Sequence, residues 1–186
     1  MLFRSAGYSN TTGTDLVAVG AIAAYSNTTG AYINAYGRAA LYNNTTGNSN
    51  TAVGHTVLYA NTTGSYNTAM GAPEAGFVAT MRYNTTGSYN TAYGSGSLAN
   101  NTTASNNTAV GYQAGYSNTT NPQSTFVGYQ AGYSSTGGYN TAVGYTAGYA
   151  MTSGTGNTAL GRLVMSSGAG VTGSSNTGVG NNALAA

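Results

Sequence analysis

Three side chains in this sequence could move a proton or grip a transition metal: His55, Asp15 and Glu74, its single histidine and its only two acids. Acid–base or nucleophilic catalysis needs such groups within hydrogen-bond reach of one another, and these three lie in different copies of an internal repeat. With no Cys, one His and two scattered acids, only backbone and amide oxygens remain for a hard cation. The frequent G-x-G-like spacings open no predicted helix, so they do not read as phosphate loops. Neither enzyme activity nor a metal or cofactor is expected. The one chemical motif present in quantity is Asn-x-Thr, at Asn10, Asn27, Asn44, Asn61, Asn84, Asn101 and Asn118 among others. It is an acceptor for N-linked glycans, and Asn-Thr-Thr-Gly is also ordinary turn chemistry.

The elements that must position these residues follow from the repeat. A glycine closing an NTAVG-like phrase recurs at Gly20, Gly37, Gly54, Gly71, Gly94, Gly111, Gly128, Gly144, Gly161 and Gly180, at spacings of 17, 17, 17, 23, 17, 17, 16, 17 and 19 residues. Ten units fill residues 1–186, which reads as one repeat domain rather than two. Aligned on that glycine, the preceding residue is always apolar (Val19, Tyr36, Val53, Met70, Tyr93, Val110, Val127, Val143, Leu160, Val179). Before it stands a small residue in nearly every unit, before that mostly Thr, and before that mostly Asn. The six extra residues fall within 72–83 and are expected to form a surface loop, since loop insertions cost little free energy.

Alternation in T-A-V-G-Y-Q-A-G-Y has the period of a strand, whereas Gly, Thr, Tyr and Asn are poor helix formers. The S-N-T-T-G that follows supplies a turn. Seventeen residues suit one coil of an all-β parallel solenoid or β-roll, expected here with two short strands and two turns per coil. Ten coils about 4.8 Å apart would make a rod of roughly 50 Å. Stacking places equal residues above one another, which explains why only 3% of the residues are charged: like charges one strand apart repel. A net charge of +2 makes no basic patch, so nucleic acid is not an expected partner. No run of 18 apolar residues predicts membrane insertion.

Tyr25, Tyr42, Tyr59, Tyr116, Tyr133 and Tyr149 recur near the end of the second expected strand. They are the candidate interface ladder, or a platform for glycans, because Tyr joins an apolar ring to a polar tip. A coil this thin buries little by itself, which favours oligomerisation.

NTAVGYQAGYSNTTN (Asn107–Asn121) and NTAVGHTVLYANTTG (Asn50–Gly64) resemble the repeats of phage tail-fibre proteins that often end in an intramolecular chaperone of the endosialidase or S74-peptidase type. They are similar, less closely, to the head repeats of trimeric autotransporter adhesins, which are left-handed parallel β-rolls. The resemblance implies homotrimers, an extracellular or virion-associated location and attachment to surfaces, with surface glycans as partners. It also implies a C-terminal chaperone domain, and none follows Ala186. The leading expectation is therefore a rod-like fibre or adhesion segment. The alternatives are a subunit of a head-to-tail filament and, third, an ice-binding solenoid carrying a Thr ladder but lacking a broad Thr-x-Thr face.

Overall fold

A computed structural model describes residues 4–71, 73, 78–166 and 171–184. Each NTAVG-like phrase forms one short strand: β1 Leu16–Val19, β2 Ile33–Tyr36, β3 Thr51–Val53, β4 Thr68–Met70, β5 Thr91–Tyr93, β6 Thr108–Val110, β7 Thr125–Val127, β8 Thr141–Val143, β9 Thr158–Leu160 and β10 Thr177–Val179. The strands lie side by side in chain order in one parallel sheet, so the chain winds through about nine turns of an all-β solenoid with no helix among the described residues. Pairing joins like to like: Thr51 to Thr68 to Thr91, Ala52 to Ala69 to Ala92. The longer fourth repeat keeps this register, and of its extra segment Ala72 and 74–77, including Glu74 and Phe77, lie outside the described residues.

Among the described residues the expected second strand of each coil does not form. After the strand the chain enters a series of turns in which residues two and four beyond the glycine have left-handed backbone, as at Ala39 (φ 57°) and Leu41 (φ 52°), or Gln113 (φ 52°) and Gly115 (φ 62°). A third such corner lies five residues before the glycine, at Ser49, Tyr66 and Tyr139 among others. Each non-Gly residue held there costs about 1–2 kcal/mol. Hydrogen bonds between coils offset that cost: Ala39 N–H donates to Ala21 O in the preceding coil (3.0 Å) and Leu41 N–H to Val57 O in the next (3.0 Å). The strand glycine is required by close approach. At Gly111 (φ 133°) a Cβ would run into the carbonyl group of Gly128, one coil on.

Within the strands the Ala column points inward and the Thr and Val columns point outward, as a two-residue period requires. The core is thin: buried Ala35, Ala52, Ala69, Ala92 and Ala109 face residues of the turn segment such as Ala40, Leu41, Leu58, Met81 and Leu98. Phe126 replaces alanine in β7 and is fully buried. Its ring fits because the turn position held by leucine in other coils is glycine on both sides of it: a Cβ on Gly115 would lie 2.6 Å from Phe126 Cδ2, and one on Gly132 would overlap the ring. Volume is thus conserved slice by slice, as close packing demands.

This compensation is testable by chemical denaturation. Phe126→Ala should lower the unfolding free energy by about 3–5 kcal/mol, and Gly132→Leu alone should also destabilise by overpacking. The double variant, which rebuilds the Ala-plus-Leu slice of the coil around Ala35 and Leu41, should be more stable than either single variant.

Candidate functional site

The repeated columns of this solenoid form ladders, and the ladders are where its polar and aromatic chemistry is concentrated. Two asparagine ladders run through the interior. The first contains the asparagine of each N-T-T-G turn. Asn44 Nδ2 donates to Asn27 Oδ1 (2.7 Å) and to Gly47 O (3.0 Å), while Asn61 Nδ2 donates to Asn44 Oδ1 (2.8 Å). The pattern continues through Asn84 and Asn101. It breaks at Asn118, and there Asn101 Oδ1 and Asn118 Oδ1 are buried without a hydrogen-bond partner.

The second ladder contains the asparagine before each strand. Its Oδ1 accepts the backbone N–H of the equivalent residue one coil later: Asn67 N–H to Asn50 Oδ1 (3.0 Å), Asn90 N–H to Asn67 Oδ1 (3.0 Å), Asn107 N–H to Asn90 Oδ1 (3.0 Å). Its Nδ2 reaches the carbonyl of the turn on the next coil, as from Asn67 to Gly87 O (2.8 Å). Ser124 stands in for asparagine in one coil, its backbone N–H donating to Asn107 Oδ1 and its hydroxyl accepting the N–H of Asn140. An amide that both donates and accepts along the axis is what such a position needs.

Of the seven asparagines read as possible glycan acceptors, Asn27, Asn44, Asn61, Asn84, Asn101 and Asn118 are buried and Asn10 is half-buried. In each, Nδ2, the atom that would carry the sugar, donates to the carbonyl three residues on. In the folded coil that atom is engaged in holding the turn.

The tyrosines form ladders outside the core. Tyr8, Tyr25, Tyr42 and Tyr59 stack at 5.1–5.3 Å between ring centroids, within 10° of parallel. Tyr116, Tyr133 and Tyr149 continue the same column at 5.1 Å. Each such pair contributes about 0.5–1.5 kcal/mol beyond its burial. Sequence reading missed two further stacks, Tyr112–Tyr129–Tyr145 (5.3 Å) and Tyr66–Tyr89 (4.8 Å), although the column alignment holds their spacing. It also missed how a stack ends. The Arg82 guanidinium lies 5.1 Å above the Tyr59 ring, and that of Arg162 lies 5.9 Å from Tyr145. A single cation over a ring face is attractive, whereas two in succession would repel. Because each inner ring has both faces covered, it offers its edge and hydroxyl to solvent; a sugar cannot lie flat on it.

Of the groups with catalytic potential, Glu74 lies outside the described residues, and His55 and Asp15 are not brought together. His55 is exposed and shares a 3.0 Å hydrogen bond with Arg38, one coil away. Asp15 is exposed in the first coil. No cavity opens, and no cluster of three His, Cys, Asp or Glu occurs, among the described residues. No family model, no curated protein and no solved structure matches this chain.

Two measurements check the ladders. Asn44→Ala removes three buried bonds and should cost about 2–4 kcal/mol in urea unfolding. Asn44→Asp should cost more, since a carboxylate cannot donate and would confront Asn27 Oδ1 and Gly47 O. The second measurement concerns the Tyr133 phenol, which is pushed above its ordinary value of 10.0 by burial and by the neighbouring Tyr116, Tyr149 and Tyr112. A raised folded pKa gives stability that is present in full below the unfolded value and lost as pH rises through the folded one. The melting temperature should therefore fall as pH passes 10, and Tyr133→Phe should reduce that fall.

Proposed function

We propose that this chain is a structural fibre or adhesion segment, a stiff rod that acts through its length and its sides. The observation that carries the reading is how the side chains are used: asparagine, threonine, alanine and tyrosine columns each link one coil to the next, and no cleft among the described residues is left to hold a small molecule. Thr28 Oγ1, for example, donates to Thr45 O (3.0 Å) in the following coil. Such a chain supplies rigidity and a repeated surface, which is what a fibre requires.

The rod associates as a homotrimer outside the cell or on a virion, in line with the resemblance of its repeat to phage tail-fibre and autotransporter repeats. The half-buried ladder of Tyr25, Tyr42, Tyr59, Tyr116, Tyr133 and Tyr149 is its contact surface, because Tyr is enriched where one end of a side chain is packed and the other wet. Surface glycans are the partners, met by the phenol edges and hydroxyls of tyrosines outside that contact, such as the exposed Tyr129 and Tyr145. A second reading, the head-to-tail filament, draws on β1 and β10, each of which has a strand neighbour on one side only among the described residues, since an unpaired strand edge is a template for another chain.

Light scattering across a dilution series tests both readings. A constant threefold mass, reduced to a single mass by Tyr42→Ala combined with Tyr133→Ala, is the expected result. A monomer at every concentration overturns the trimer, and a mass that climbs with concentration supports the filament in its place.

A further inference from the structure

The threonines of this chain fall into two structural sets. Those of the N-T-T turn use their hydroxyls within the chain: Thr28, Thr45, Thr62, Thr85 and Thr102 all donate to a carbonyl of the next coil, at 3.0–3.1 Å. Those of the strands do not. Thr108, Thr125, Thr141, Thr158 and Thr177 are at most half-buried, and their hydroxyls bond no described group. Valine would serve a strand equally well, so fold alone does not explain a hydroxyl column in β6–β10.

Two residues along each of these strands stands an outward apolar side chain: Val110, Val127, Val143, Leu160 or Val179, of which Val110 and Val143 are each 37% exposed and Val179 66%. The face is thus an array of hydroxyl and methyl columns, about 4.8 Å apart up the stack and about 6.7 Å apart along each strand. It bears no charged residue. In β2 and β5 the apolar column holds Tyr36 and Tyr93, 41% and 56% exposed, whose rings interrupt the array and confine it to β6–β10.

From this geometry we propose that the Thr-x-Val face of β6–β10 binds ordered water at the surface of ice. An ice plane is neutral, rigid and periodic, as this face is. A charged surface could not meet it over five rungs. The threonine hydroxyls join the hydrogen-bonded lattice, and the threonine and valine methyls occupy the spaces between lattice oxygens, where water need not reorganise around them. In the sequence the lack of a broad Thr-x-Thr face counted against an ice-binding role; here the outward partner of each threonine is valine or leucine, which presents methyl groups without the second hydroxyl. This inference does not depend on the fibre reading, because the face lies on the strands while the proposed trimer contact lies on the turn-segment tyrosines.

The test is nanolitre osmometry on the full chain with microscopy of single ice crystals. The expected result is faceted growth and a gap between melting and freezing points that widens with protein concentration. Thr141→Tyr, which sets a ring on the face as Tyr93 already does in β5, should abolish both effects. Thr63→Tyr, at an exposed turn position, should leave them intact. Thr158→Tyr is the second variant if circular dichroism shows Thr141→Tyr to be misfolded. Round crystals with no gap in the unaltered protein would overturn the proposal, as would a gap that the folded face variant leaves unchanged. Light scattering on the same samples keeps this outcome separate from the fate of the trimer.

Discussion

A polar group facing the axis of so narrow a coil has no water to turn to, so its partner must come from its own coil or the ones next to it. The buried amide ladders answer that constraint. An asparagine that donates to its own turn and to the coil before it, while accepting from the coil after, satisfies three demands with one side chain. The second ladder goes further, replacing a backbone carbonyl as the acceptor for the N–H of the next asparagine. Leaving one such group unpaired costs on the order of 1–3 kcal/mol, and the cost recurs with every coil. The register of the strands, the constancy of the repeat and the left-handed corners all follow from keeping these amides in line.

The same stacking rule governs which residues are admitted elsewhere. Neutral rings and hydroxyls repeat without penalty; cations appear singly, at the end of a tyrosine stack or beside a histidine. Size is governed slice by slice. Phe126 is accepted because glycine replaces leucine around it. Stability in such an architecture is a sum over neighbouring coils, so a local mismatch is felt most in its own coil and the two that touch it.

Much of this was legible in the sequence because a stacked column is also an alignment column. The period and the parallel solenoid could be read directly from ten superposed copies. The expectation of two strands per coil failed for a specific reason: alternating left- and right-handed residues, as from Ala39 to Leu41, give the same every-other-residue pattern as a strand. Leucine and glutamine at left-handed positions carry no glycine-like warning. The asparagines were read as turn residues and possible glycan carriers because turn chemistry and axial stacking call for the same residue type. Only the coordinates distinguish an amide turned inward from one turned out. The tyrosine columns were legible, but that their ring faces cover one another depends on the coil-to-coil spacing.

The hydrogen bonds of the ladders run along the rod, from coil to coil, rather than across it. Tension applied to the two ends of the chain therefore loads the coils in series, and the outermost coil peels away while the rest remain intact. Each one released frees 17 residues in most repeats, a gain in length of roughly 50 Å at full extension. A protein of this build would stretch in even steps, absorbing work at each, and could rewind from the coils still standing when the pull ceased.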